Sequence, residues 1–133
     1  MSGKPEKDRY TGVMLQFYPK QGFRRFASGR YKEAVFSFEK AIGHAKSYDE
    51  YRFDGIEKLL SCLGQAYLKL EETEKAVQRL SESYRFFHEL DKADIEGQQK
   101  EEFIKMLKAY SEALSKAGKT EKAEEIAREA DGV

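Results

Sequence analysis

Two histidines, His44 and His88, one cysteine, Cys62, and the acidic run Asp91–Gly97 are the residues of this 133-residue chain whose types invite chemistry. A metal-ligating imidazole needs a second His or Cys at ligand spacing, and neither histidine has one. The lone Cys62 excludes an internal disulfide and fits a reducing compartment. It stands two residues before Gly64, where a thiol packed between helices and a reactive thiol are both conceivable; the packing thiol is the expectation. The run Asp91-Lys-Ala-Asp94-Ile-Glu96-Gly97 looks like a calcium loop. Placing Gly97 at the sixth loop position, however, puts Lys92 at the first, where a carboxylate is required. The glycines are scattered singly, so no phosphate-cradling loop is present. With no nucleophile–base pair, no metal set and no cofactor loop, the chain is expected not to be an enzyme.

Charge and composition narrow the partners. Basic and acidic residues balance at 24 each, so no overall field points to nucleic acid or to a membrane. Arg24, Arg25 and Arg30 form a basic cluster far too small for a nucleic-acid stripe. Eight Tyr and nine Phe fall at helical spacing, as core residues do, rather than as a base-stacking platform. No apolar run reaches the roughly 18 residues of a membrane span, and the first residues lack the apolar centre of a signal peptide. A cytoplasmic location is the default expectation.

The elements that position these residues are helices. Leu63, Ala66, Tyr67 and Leu70 fall at i, i+3, i+4 and i+7, one face of an amphipathic helix. A short polar break follows, with Thr73 as the expected N-cap of a second helix carrying Ala76, Val77 and Leu80. Gly64 and Ala76 are small where two antiparallel helices must approach closely. The result is a helical hairpin.

The hairpin recurs. Thr73-Glu-Lys-Ala76 reappears as Thr120-Glu-Lys-Ala123, and Arg30-Tyr-Lys-Glu-Ala34 is a looser copy. The offsets are 42 residues from Ala34 to Ala76 and 47 from Ala76 to Ala123. Gly22 precedes Ala34 as Gly64 precedes Ala76, and Phe38 and Ala41 match Leu80 and Ser83. Leu107, Tyr110, Leu114, Ala123, Ala127 and Ala130 hold the places of the third copy, with Ser111 where the glycine belongs. The expected helices run from Asp8 to Ala27, Arg30 to Ser47, Glu50 to Leu70, Glu74 to Leu90, Gln98 to Ala117 and Glu121 to Asp131. The apolar set Tyr10, Val13, Met14, Phe17 and Tyr18 leads into Pro19, which either kinks the first helix or opens a new one; the kinked helix is favoured. Tyr48–Asp54 and Asp91–Gly97 are connectors, and Gly118 is a left-handed helix stop. Residues 1–7 read as a flexible tail, and 8–131 as a single domain with repeats at about 14–47, 56–90 and 103–131.

This pattern resembles the tetratricopeptide repeat, through Leu63-Gly64, Tyr67 and Ala76 above all, and through Tyr18, Gly22, Ala34, Phe38 and Ala41 in the first copy. The closing proline is missing, with Lys46 and His88 in its place, and the repeats exceed the usual length of about 34 residues. In that respect they are similar to the long repeats of kinesin light chains. The resemblance implies an all-α fold of three stacked helix-turn-helix repeats forming a short right-handed superhelix. It also implies a concave groove lined by the first helix of each pair. Carried over position by position, the groove takes Lys58, Ser61, Cys62, Gln65 and Lys69 from repeat two. Repeat three supplies Lys105, Lys108, Ala109, Glu112 and Lys116, and repeat one Gln16, Pro19 and Phe23. Five lysines against one glutamate make repeats two and three a basic wall, which a solvated lysine face would equally produce. The chain has no Asn, so the Lys/Asn clamp by which some of these repeats hold a chaperone's C-terminal carboxylate cannot be built.

The function expected from this reading is a non-catalytic adaptor or scaffold for protein–protein interaction. Its groove would bind a peptide or helix of a partner, an acidic one, with no metal, cofactor, nucleic acid or membrane involved. The alternative is self-association through the apolar N-terminal helix; a monomer is favoured over a homodimer. A small-molecule enzyme or sensor is a third class, disfavoured by the missing catalytic set.

Overall fold

The apolar stripes form helices that pair in chain order. The computed structural model describes the backbone of residues 4–47 and 53–133 and the side chains of residues 16–47 and 53–133, and over these the chain is all-α. The helices are α1 (Lys4–Ala27), α2 (Tyr31–Ser47), α3 (Ile56–Lys69), α4 (Thr73–His88), α5 (Lys92–Glu96), α6 (Lys100–Lys116) and α7 (Thr120–Asp131). The closest pairings are α1 with α2, α3 with α4 and α6 with α7. Between hairpins, α3 packs on α1 and α2, and α6 packs on α3 and α4. One apolar core runs through all three, from Phe38 and Ile42 through Leu60, Leu63 and Leu80 to Leu107 and Ile126.

The repeat extends to individual hydrogen bonds. The N–H groups of Arg30, Glu72 and Lys119 each donate to the carbonyl five residues back, on Arg25, Tyr67 and Leu114, at 2.9, 2.9 and 2.8 Å. Such a bond closes a helix through a residue in the left-handed conformation. That residue is Gly29 (φ 76°), Glu71 (φ 60°) and Gly118 (φ 81°). Two of the three hairpins therefore use glycine there and the middle one uses glutamate. A side chain in this conformation costs on the order of 1–2 kcal/mol.

Glycine also governs how closely the helices approach. A Cβ on Gly22 would lie 2.5 Å from the Phe38 ring, and one on Gly64 would overlap Leu80. The third hairpin has Ser111 and Ala127 at the corresponding places, and Ser111 Oγ donates to the Ala123 carbonyl across the helix pair at 2.8 Å.

Several expectations need correction. Lys4–Lys7 begin α1 rather than forming a tail; Pro5 is tolerated there because first-turn N–H groups have no helical partner. Residues 1–3 lie outside the described residues, as do the side chains of Tyr10, Val13 and Met14. The favoured single helix through Pro19 needs no correction, since Pro19 lies within α1 and the helix runs on to Ala27. The third helix starts at Ile56 and not at Glu50, because Gly55 (φ 83°) is left-handed and a helix cannot pass through it; most of the Tyr48–Asp54 connector is outside the described residues. Thr73 is not an N-cap: the tight turn already makes it helical, and Glu72 precedes it without a side-chain cap. The Asp91–Gly97 connector contains the one-turn helix α5. Ile104 is only half-buried, whereas Met106, absent from the expected stripe, is fully buried.

Candidate functional site: a basic groove between α3 and α6

Successive hairpins place α3 and α6 side by side, and a cavity of about 540 Å³ opens along them. Gln65, Leu68 and Lys69 of α3 and Glu71 of the following turn line one side. Lys105, Lys108, Ala109, Glu112 and Lys116 of α6 line the other. The spacing on α6 is i, i+3, i+4, i+7 and i+11, one helical face, and Gln65 and Lys69 stand one turn apart on α3. Four lysines face two glutamates, leaving the cavity net positive. Two of the lysines have acidic neighbours on their own helix: Lys116 Nζ is 3.3 Å from Glu112 and Lys105 Nζ is 3.9 Å from Glu102. Lys69 and Lys108 form no ion pair among the described residues, and both are exposed.

Six of the nine residues expected in the partner-binding groove therefore line this cavity: Gln65, Lys69, Lys105, Lys108, Glu112 and Lys116. Three do not. Lys58 lies over the Phe23 ring, 5.1 Å from its centre, toward hairpin one. Ser61 is fully buried and accepts from Gln65 Nε2 at 3.0 Å. Cys62 is buried too. Both are covered because α3 is the central helix, packed on α1, α2, α4 and α6 at once. Burial, with a lesser push from Glu102, drives the Cys62 thiol up to about 12 against the pull of Lys58 and Lys105. A thiol so held stays protonated at neutral pH. The repeat-one positions Gln16, Pro19 and Phe23 are not on the cavity; Phe23 packs edge-on against Phe38. Glu71 and Leu68 joined the site without a signal in the sequence.

The remaining polar groups join helices. Tyr67 of α3 donates to Glu39 of α2 at 2.5 Å, and Arg79 of α4 grips the same carboxylate at 2.7 and 3.3 Å while also holding Glu82 at 2.8 Å. Burial alone would pull the Arg79 guanidinium down, but hydrogen bonds to Glu82 and Glu39 hold it above its usual range. On the other side of α4, Glu129 of α7 accepts from Tyr84 at 2.7 Å and lies 2.8 Å from His88 Nε2. His44 stacks on Tyr18. Of the expected basic cluster, Arg25 bonds Ser37 at 2.9 Å and Arg30 pairs with Glu33. A second depression of about 780 Å³, lined by His88, Leu90, Ile95, Phe103 and Glu129 among others, lies where α5 and α6 meet the end of α7. Among the described residues no His, Cys, Asp and Glu cluster could hold a metal ion, and no helix is long and apolar enough to cross a membrane.

Comparisons with family models, with curated proteins and with solved structures give no match to this chain.

Proposed function

We propose that the protein is a non-catalytic interaction module of the tetratricopeptide-repeat type. In this reading its three hairpins form a short right-handed superhelix, and it works as an adaptor in the cytoplasm. The α3–α6 groove takes an acidic peptide or helix of a protein partner. The observation that carries the reading is the convergence of Lys69 from one hairpin with Lys105, Lys108 and Lys116 from the next on one cavity. Like charges gathered on one face repel, and an anionic partner relieves that repulsion. Leu68 and Ala109 add apolar surface at the base of the groove. The groove has room for an extended segment.

The test is direct. A dye-labelled Glu-rich peptide titrated into the protein should bind, and added salt should weaken it as screening shortens the field to about 8 Å. Reversing Lys69, Lys105 and Lys108 to Glu should reduce affinity at least about tenfold while the helical circular dichroism is unchanged. Affinity indifferent to both changes would discard the groove. The exposure of Phe17 on α1 favours a second reading, self-association through that helix. Light scattering tests it, since only that reading requires a stable oligomer.

A further inference from the structure

The residue that departs from the pattern of its repeat is Glu71. Gly29, Glu71 and Gly118 occupy the same turn position, close the same hydrogen bond and share a positive φ. Glycine adopts that conformation without penalty and a glutamate does not. Nothing else in the fold engages the carboxylate: Glu71 is exposed, and although its backbone N–H donates to the Leu68 carbonyl, its side chain forms no hydrogen bond or ion pair among the described residues. It lines the groove together with Lys69, Lys108 and Lys116. There it is an anion on the rim of an otherwise basic cavity. A purely acidic ligand would be repelled at that point. Glu112, the other groove carboxylate, already has Lys116 beside it at 3.3 Å.

We propose that Glu71 is a specificity-determining residue of the groove, receiving a Lys or Arg side chain of the bound partner segment. The partner is then bipolar: acidic residues lie over Lys69 and Lys108, and a single basic residue lies at the α3–α4 turn. This rests on the groove reading above and deepens it. A uniformly acidic segment is discriminated against by repulsion, and the bipolar one is selected by attraction, so one residue supplies both halves of the preference.

Three short dye-labelled peptides test it: one of Glu, Ala and Leu only, and two identical to it except for a Lys at the first or at the last position. Fluorescence anisotropy should show one Lys-bearing peptide binding the wild type about two to five times more tightly than the all-acidic one, the range of an exposed ion pair. Glu71→Gln keeps the side chain and removes the charge, and should erase that difference while the all-acidic peptide gains affinity. Glu71→Gly should erase it too and raise the melting temperature, showing that the carboxylate is not there for the fold. Equal binding of all three peptides, or a ranking that survives Glu71→Gln, overturns the role of Glu71 and leaves the groove standing. Failure of all three peptides to bind overturns both.

Discussion

The second and third hairpins solve one packing problem in opposite ways. In hairpin two, α3 presents bare backbone at Gly64 and α4 fills the space with Leu80. In hairpin three, α6 carries a side chain, Ser111, and the position matching Leu80 is Ala127. The hydroxyl then does what the leucine cannot, bonding the Ala123 carbonyl of the opposite helix. Hairpin one follows hairpin two, with Gly22 beneath Phe38. At this crossing the larger side chain comes from the second helix of the pair in hairpins one and two and from the first helix in hairpin three.

The most damaging way to break the comparison is to put bulk on both helices of hairpin two. Gly64→Leu should destabilise the protein on the order of 1–3 kcal/mol or more, because even its Cβ overlaps Leu80. The gain in helix propensity, roughly 1 kcal/mol from Gly to a better helix former, does not offset it. Hairpin three suggests the remedy: Gly64→Ser with Leu80→Ala should cost less than the two single changes added together. Strict additivity in thermal or urea melts would mean that Gly64 and Leu80 do not share one space.

A smaller effect separates the hairpins by pH. Cys62 of α3 matches Ala109 of α6, so only hairpin two carries a buried thiol at that place. An unfolded thiol ionises near 8.5, while burial holds the folded one near 12. The folded pKa is raised, so the stability is fully present below about pH 8.5 and drains away as pH rises toward 12. Tyr67, Tyr84 and Tyr110, all pushed up first by burial, add to the same alkaline loss from about pH 10. Cys62→Ala should therefore shift the alkaline unfolding midpoint upward without abolishing the tyrosine-driven part. An unchanged midpoint would show that the thiol ionises as freely folded as unfolded.

These contrasts show where sequence reasoning reaches and where it stops. The hairpins are legible because helical period and repeat offset are local, and the period alone puts Lys105, Lys108, Glu112 and Lys116 on one face. Ser61 and Cys62 are misplaced by the positions carried over from the resembled repeat, which do not tell how many neighbours a helix has, and α3 has four. The left-handed turn is legible at Gly29 and Gly118, where glycine announces it, and hidden at Glu71, where nothing does. The clamp of Arg79 on Glu39 is equally hidden, since its members lie far apart in a chain of which 36% is charged. Gly55 is a visible signal that the third helix starts late, masked by the aromatic residues before it, which suit a helix as well as a connector.

The finest test of the comparison concerns Ser111 alone. If its hydroxyl takes over part of the role that Leu80 fills in hairpin two, Ser111→Ala should cost about 0.5–1.5 kcal/mol for the lost hydrogen bond. The better helix propensity of alanine returns a few tenths of that, so the net loss should be below about 1 kcal/mol. Ser111→Gly restores the residue of the other two hairpins and should still be worse than alanine, by roughly 1 kcal/mol. Without a large partner at Ala127 the glycine contributes its poor helix propensity and nothing to packing. Paired melts of the two variants read the difference. If Ser111→Gly proved the more stable of the two, hairpin three would have to close as tightly as Gly22 on Phe38. The hydroxyl would then be an obstacle rather than a link, and the exchange of bulk between helices would not describe this protein.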